Sequence, residues 1–398
     1  MLRSSPSPAF VGHRWGDRCS ACCDTYTTIT PQMPDGCCGN IMTDLRWVER
    51  EIRGRAVMGK SLSEETKSDD ARIVHWATRS DISPLRYPGG KRKLAPFIAD
   101  LIAKSNVRPE LFVEPFAGGA SVSISLLEAD YVDTIALADA DPLVASFWKT
   151  VFSPEADKLA DMVYDAKVTL DEWVRLKHSE MKTELEAAFK CLFLNRTSFS
   201  GALHRKAGPI GGMSQTSDYK IDCRFNQPKI AERLLELSRL RHRVRFVRNE
   251  SYKKTIRDIR RTATFRNNPQ RVFWYLDPPF FAKADKLYRH HFVSADHEEL
   301  AAATSDIPGS WLLSYDDHPE ASRLYGTHSG YALVNLQYSA RIDEKQRLVA
   351  KEIIVSNVIA NLRETGALKD TAEILQIPRR RQNASSNIEV IKRYLATG

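Results

Sequence analysis

No stretch of this 398-residue sequence reaches the ~18 consecutive apolar residues of a membrane span, and charged residues interrupt its longest apolar runs. A spanning helix is not expected. The N-terminal MLRSSPSPAFVGHRWGD lacks the basic-then-apolar order of a secretory signal, so a cytoplasmic location is the default expectation. Internal repeats and low-complexity tracts are missing too. Cysteine is sparse after residue 38: Cys191 and Cys223 stand alone and read as ordinary core or incidental thiols. The other five, Cys19, Cys22, Cys23, Cys37 and Cys38, include a Cys-x-x-Cys, yet no helix or hairpin pattern surrounds them. Neither a zinc site nor a disulfide framework is expected, and no metal. Acid is in deficit, with 50 Asp+Glu against 58 Lys+Arg and a formal charge of +8.

What is present fits a soluble globular chain with a sizeable core and two domains, at 42% apolar and 27% charged residues. The basic excess gathers at 239–248, 257–261 and 378–383. Such clusters suit an anionic partner, although a solvated helix face explains each equally well.

Residues 1–80 show little periodicity beyond one possible helix at 44–59 and read as a poorly ordered extension. From Pro84 the pattern becomes regular. Helical spacing at 91–105, a strand at 111–116, a helix at 120–129 and a strand at 134–139 alternate, and Asp141-Pro142 caps a further helix. That alternation predicts a parallel sheet covered by helices. A helix at 171–195, a loop-rich basic stretch at 196–220 and a helix at 228–240 look like an insertion. Strands return at 244–250, 272–277, 311–315, 331–340 and 351–357.

Four stretches can carry chemistry. EPFAGG (114–119) is a strand end followed by glycines before a helix, which lets a ligand approach the backbone. It is not a Gly-x-Gly-x-x-Gly, and an ordinary strand-to-helix turn explains it as well. Asp139 ends the next strand, where an acid suits ribose hydroxyls, or is simply a solvated loop acid. Together they outline a crevice for a nucleoside-bearing cofactor. The third stretch is YLDPPF (275–280). Asp277 can accept a hydrogen bond from an amino group, the rigid Pro278-Pro279 turn can aim a carbonyl at the same group, and Phe280 can stack on a flat ring. Two acceptors on an aromatic amine free its lone pair for attack on a methyl donor. The plainer alternative is a strand followed by a proline turn. In PLRYPGGKRKL (84–94), Tyr87 can stack on adenine, Gly89-Gly90 permit close approach and Lys91 adds charge, although a turn before a helix explains it too.

Taken in order, PLRYPGGKRKL, FVEPFAGGAS, LADADP, LFLNRTSFSG, RNESY and YLDPPF resemble the Dam-type, α-group S-adenosylmethionine-dependent adenine-N6 DNA methyltransferases, over about residues 81–360. LSYDDHPE and KEIIVSN resemble the family's last core strands. The resemblance implies an α/β fold: a seven-stranded Rossmann-like methyltransferase core with an inserted, mainly helical target-recognition domain. The boundaries expected are an extension at 1–80, the cofactor half at 81–158, the insertion at 159–240, the catalytic half at 241–362 and a basic tail at 363–398. Carried over by position, Tyr87, Gly89, Lys91, Glu114, Phe116, Gly118, Asp139 and Glu250 would border S-adenosylmethionine. Asp277, Pro278, Pro279 and Phe280 would hold an adenine flipped out of double-stranded DNA. Arg196, His204, Arg205 and Lys206 are candidates for DNA contact, with surface solvation the alternative for each.

Phe280 stands where the family has tyrosine, Ala120 where many members have glycine, and Asp141 where asparagine is common. The recognition sequence does not carry over, and a cognate restriction enzyme is a partner the resemblance leaves open. Two alternatives share the fold: action on another planar amine or amide, such as cytosine N4 or protein glutamine, and a catalytically silent DNA-binding protein.

Overall fold

Val272–Leu276 is an unbroken run of branched and aromatic residues, and it forms a strand buried along its whole length. Such a strand must be covered on both faces. Phe273 and Tyr275 join one hydrophobic cluster, while Val272, Trp274 and Leu276 join another. On the first face Phe112 of the neighbouring strand stacks on Phe273 at 5.5 Å and on Tyr275 at 6.3 Å.

The computed structural model describes residues 81–281 except 88, 292–341 except 308, 347–368 and 375–376, with main chain only at 335–341, 347–350 and 375–376. The expectations for the extension at 1–80, its helix at 44–59, its five cysteines and the tail beyond 376 lie outside them. In chain order come α1 (Ala95–Lys104), β1 (Leu111–Glu114), α2 (Ser121–Glu128), β2 (Thr134–Asp139), α3 (Pro142–Val151), α4 (Ala156–Tyr164), α5 (Leu170–His178) and α6 (Glu184–Thr197). Then follow α7 (Gln227–Ser238), β3 (Val244–Asn249), α8 (Tyr252–Arg260), α9 (Ala263–Asn267), β4 (Val272–Leu276), α10 (Ser294–Ser305), β5 (Ser310–Asp316), α11 (Pro319–Tyr325), β6 (Tyr331–Arg341), β7 (Arg347–Ser356), α12 (Asn357–Glu364) and β8 (Leu375–Gln376).

The sheet order is β3-β2-β1-β4-β5-β7-β6-β8. All seven predicted strands are in it, and the two-residue β8 adds to the β6 edge. Strands β3, β2, β1, β4 and β5 run parallel, whereas β7 is antiparallel to both β5 and β6. From β1 the chain works outward to β2 and β3, then returns to β4 on the other side of β1. The strand order therefore reverses between β1 and β4, and a crevice opens at their carboxyl ends. This is the helix-covered sheet that the alternating pattern predicts and the Rossmann-like core that the resemblance implies.

Helices α1 to α7 and α12 contribute to the cluster on one face, and α8 to α11 cover the other. Asp141 caps α3 as expected, accepting from the Leu143 N–H at 2.9 Å with Pro142 in the first turn. The helix expected at 171–195 is two helices. Ser179 leaves helical geometry, and Thr183 starts a new helix with a capping box closed by Glu186. Helices α4 to α7, which occupy the connection from β2 to β3, share their hydrophobic cluster with α1 to α3. Trp173, Phe189, Phe193 and Leu234 pack there with Phe147 and Trp148. No helix among the described residues is long and apolar enough to cross a membrane.

Candidate active site

The crevice at the β1/β4 reversal is a cleft partly open to solvent. It is lined by the 87–91 turn, the ends of β1, β2 and β4, the turn into α2, and Phe292. Of the predicted residues it brings together Tyr87, Lys91, Glu114, Phe116, Gly118, Asp139, Asp277, Pro278 and Pro279. Gly89 and Phe280 sit beside it in contact with each other: a Cβ at Gly89, where φ is +74°, would lie 2.3 Å from Cζ of Phe280.

On the cofactor side, β1 ends in Glu114, whose carboxylate accepts from the N–H of Ser123 at 3.3 Å and from its hydroxyl. The chain then turns through Gly118 at φ +45° and through Ala120, a left-handed alanine at φ 46° where glycine is the unstrained choice. The Gly118 N–H donates to Asp139 at 2.8 Å, and the Gly118 carbonyl accepts from the buried Trp148 indole at 2.8 Å. Trp148 thus ties the turn to the core. A Cβ at 118 would lie 2.8 Å from the Tyr87 ring. Gly118→Ala is expected to cost about 1–2 kcal/mol from the backbone alone, and to weaken cofactor binding by displacing Tyr87. Denaturant titration and calorimetric binding check the two effects.

Asp139 accepts from Gly118 on one oxygen and from the Asp141 N–H, also at 2.8 Å, on the other. Each oxygen keeps a second lone pair. Burial, opposed by these two N–H groups and aided by Asp141, pushes its pKa up to about 7. Burial likewise raises Glu114 to about 8, with Ser123 opposing and the charges of Asp277 and Asp139 adding to the rise. Asp277 rises to about 7 through burial, opposed chiefly by Lys91. Three buried acids that resist ionising form a site in which a cationic ligand is favoured, since its charge stabilises the carboxylates that burial penalises. A nucleoside bearing positive charge fits this donor set.

On the catalytic side, Asp277 follows the last residue of β4 and keeps 22% of its side chain exposed. Its Oδ1 accepts from the Ser314 hydroxyl at 3.0 Å, and Ser314 in turn lies 3.0 Å from the Tyr275 hydroxyl. Lys91 Nζ lies 4.0 Å from the same Oδ1, 4.8 Å from the Phe280 ring centroid, and 2.8 Å from Glu352 of β7. The next residue, Phe281, stacks with two imidazoles, His297 at 3.8 Å and His318 at 5.1 Å. His297 is bonded to Tyr315 at 2.8 Å, and burial lowers its pKa to about 4, so it is neutral. The Pro278-Pro279 turn is thereby gripped at both ends.

Ser314 and Glu352 lie in LSYDDHPE and KEIIVSN, the stretches that resemble the family's last core strands, but the resemblance assigns neither a role in the site. The available signal for Glu352 was a lone carboxylate beside Ile353, Ile354 and Val355 in a central strand, which demands a partner. Glu250 goes elsewhere: it bonds Lys254 at 2.7 Å and Thr255 at 3.0 Å and is not among the lining residues. Arg196 is also engaged, donating from Nε to the Pro84 carbonyl at 2.5 Å, and burial followed by the charge of Arg86 lowers its pKa to about 10. His204 is half-buried, and Arg205 and Lys206 are exposed. Their loop is pinned by Lys177, which donates to the carbonyls of His204 and Ala207. Nearby, Asn195 ties Gly201 to Arg86, and Phe199 on that turn is 72% exposed. No group of His, Cys, Asp and Glu able to hold a metal occurs among the described residues.

A sheet whose strand order reverses between β1 and β4, acids ending β1 and β2, and the Asp277-Pro278-Pro279 turn after β4 in the same cleft define a Rossmann-like methyltransferase. The family model of the D12 class N6 adenine-specific DNA methyltransferases matches residues 87–340, more than half of the chain, and the chain belongs to that family. It is a site-specific adenine DNA methyltransferase. No curated protein matches the chain.

Proposed function

We propose that this enzyme transfers a methyl group from S-adenosylmethionine to N6 of an adenine flipped out of a specific double-stranded DNA sequence. The observation that carries the proposal is that Asp277, just past the end of β4, lines the same cleft as Glu114 and Asp139. S-adenosylmethionine supplies a methyl group on positively charged sulfur. Asp139 has lone pairs left for two ribose hydroxyls, Tyr87 and Phe116 offer rings to the adenosine, and Glu114 offers negative charge to the cationic end.

The remaining cleft wall suits the target base. Asp277 accepts one N6 hydrogen and the Pro278 carbonyl the other, which localises the nitrogen lone pair. Ser314 holds one carboxylate oxygen and so fixes the direction of the other. The methylated nitrogen must lose a proton, and Asp277 is placed to accept it. Phe280 stacks on the base or on its rim. Residues 159–240 serve as the target-recognition segment, with Arg205 and Lys206 exposed toward DNA phosphates and Arg196 bracing the Pro84 carbonyl beside them. The enzyme works in the cytoplasm.

Digesting a plasmid methylated by the protein to nucleosides tests this directly. N6-methyladenine is the expected product. N4-methylcytosine would replace the substrate, and no modified base despite DNA binding would leave only a binding protein. Binding should also weaken steeply with salt, as phosphate contacts require. The raised acids fix the sign of the pH dependence. Their acceptor and cation-binding forms are the ionised ones, so kcat/KM should climb as pH rises through about 7 to 8 and be lost below. Initial rates across pH 5.5–8.5, on protein shown to stay folded, check this.

A further inference from the structure

Glu352 lies in the middle of β7, 2% exposed, beside three buried aliphatic residues. A carboxylate there is retained only with a partner, and it has one in Lys91, 2.8 Å away and 261 residues earlier in the chain. The ammonium is shared. It also stands 4.0 Å from Asp277 and over the Phe280 ring, so one cation touches both ends of the Asp-Pro-Pro-Phe turn. Other groups face Asp277 as well: Asp316 and Tyr315 from β5, Glu114 from β1 and Tyr275 from β4.

We propose that Glu352 is a positioning residue that anchors Lys91 over the Asp277–Phe280 turn and, by dividing the ammonium between two acids, sets how readily Asp277 ionises. The proposal rests on Asp277 being the acceptor for the target amine. The distances give the reason. A Lys91 committed to Asp277 alone would bind that carboxylate as a tight ion pair and compete with the substrate for its oxygens. Glu352 takes the closer share, 2.8 Å against 4.0 Å, and leaves Asp277 an oxygen for the cleft. The two partners act on Asp277 with opposite sign: Lys91 favours its charged form and Glu352 disfavours it. A role in packing alone has no such sign.

The test follows the Asp277 carboxyl carbon by NMR against pH in the full-length protein without ligands, so it does not depend on turnover. Glu352→Gln, which keeps shape and removes charge, is expected to lower the Asp277 midpoint by about one unit. Lys91→Met is expected to raise it by about as much, and the double variant to return it near the wild-type value. The acid limb of kcat/KM should move in the same directions. Should Lys91→Met fail to fold, Lys91→Arg retains the charge and should leave the midpoint nearly in place. Shifts of one common sign, or none with Glu352→Gln, would overturn the proposal and leave Glu352 a structural partner of Lys91. The Asp277 assignment fails separately, if Asp277→Ala methylates normally.

Discussion

Asp277→Ala is expected to reduce methyl transfer by at least ~10²–10³-fold, the scale seen when one preorganised electrostatic contact to a reacting group is removed. Cofactor affinity should largely survive. Asp277 shares the cleft with Glu114 and Asp139, but it opens the Asp-Pro-Pro-Phe turn after β4, whereas the acids offered to the cofactor end β1 and β2. On the proposed mechanism its loss takes from the target nitrogen both a hydrogen-bond acceptor and a proton acceptor. The fold should tolerate the change, since Glu352 still neutralises Lys91 at 2.8 Å. Asp277→Asn, which keeps an oxygen and the shape, should fall between. Single-turnover methylation and calorimetric cofactor binding, run on the same preparation, decide the matter. Parallel loss of both would make the acid a support of the cleft and not its reactive edge.

The second large effect is expected at Trp148. Its ring is fully buried, packs on Phe147 at 4.8 Å and Phe152 at 5.8 Å, and its indole N–H reaches the Gly118 carbonyl. Trp148→Ala should cost about 3–5 kcal/mol, combining a large cavity with the lost hydrogen bond. Trp148→Phe restores most of the volume but leaves that buried carbonyl unbonded, a penalty of about 1–3 kcal/mol. Both should weaken cofactor binding, because the Gly118 turn loses its tether to the core. Urea unfolding with and without cofactor separates the two consequences. Equal affinity in wild type and Trp148→Phe would show that the turn is held by Asp139 alone.

Much of the fold was legible because the sheet is buried. Strands such as Phe273–Leu276 and Ile135–Ala138 must be apolar along their length, and the acids ending β1, β2 and β4 interrupt those runs where the cleft lies. The break at Ser179–Thr183 was harder to see, since apolar spacing continues across it and only the capping chemistry of Thr183 with Glu186 marks it. Which partners the sheet brings together is not written locally. Ser314 and Glu352 reach Asp277 and Lys91 through strand neighbours distant in sequence. Charge also misleads about engagement: Glu250 and Arg196 both look available in sequence, yet Lys254 and Thr255 take the first and the Pro84 carbonyl takes the second.

The final hairpin docks on β5 through its second strand, the antiparallel β7, so Glu352 reaches the cleft only once that last long strand has paired. A ribosome that has just released Phe280 has delivered the whole Asp-Pro-Pro-Phe turn, while Glu352 is still unmade. Synthesis therefore finishes the pocket last, and an interrupted translation product carries the signature tetrapeptide without its anchor. Two fragments severed between β5 and β6 should each be inert, and mixing them should rescue activity only when the hairpin docks.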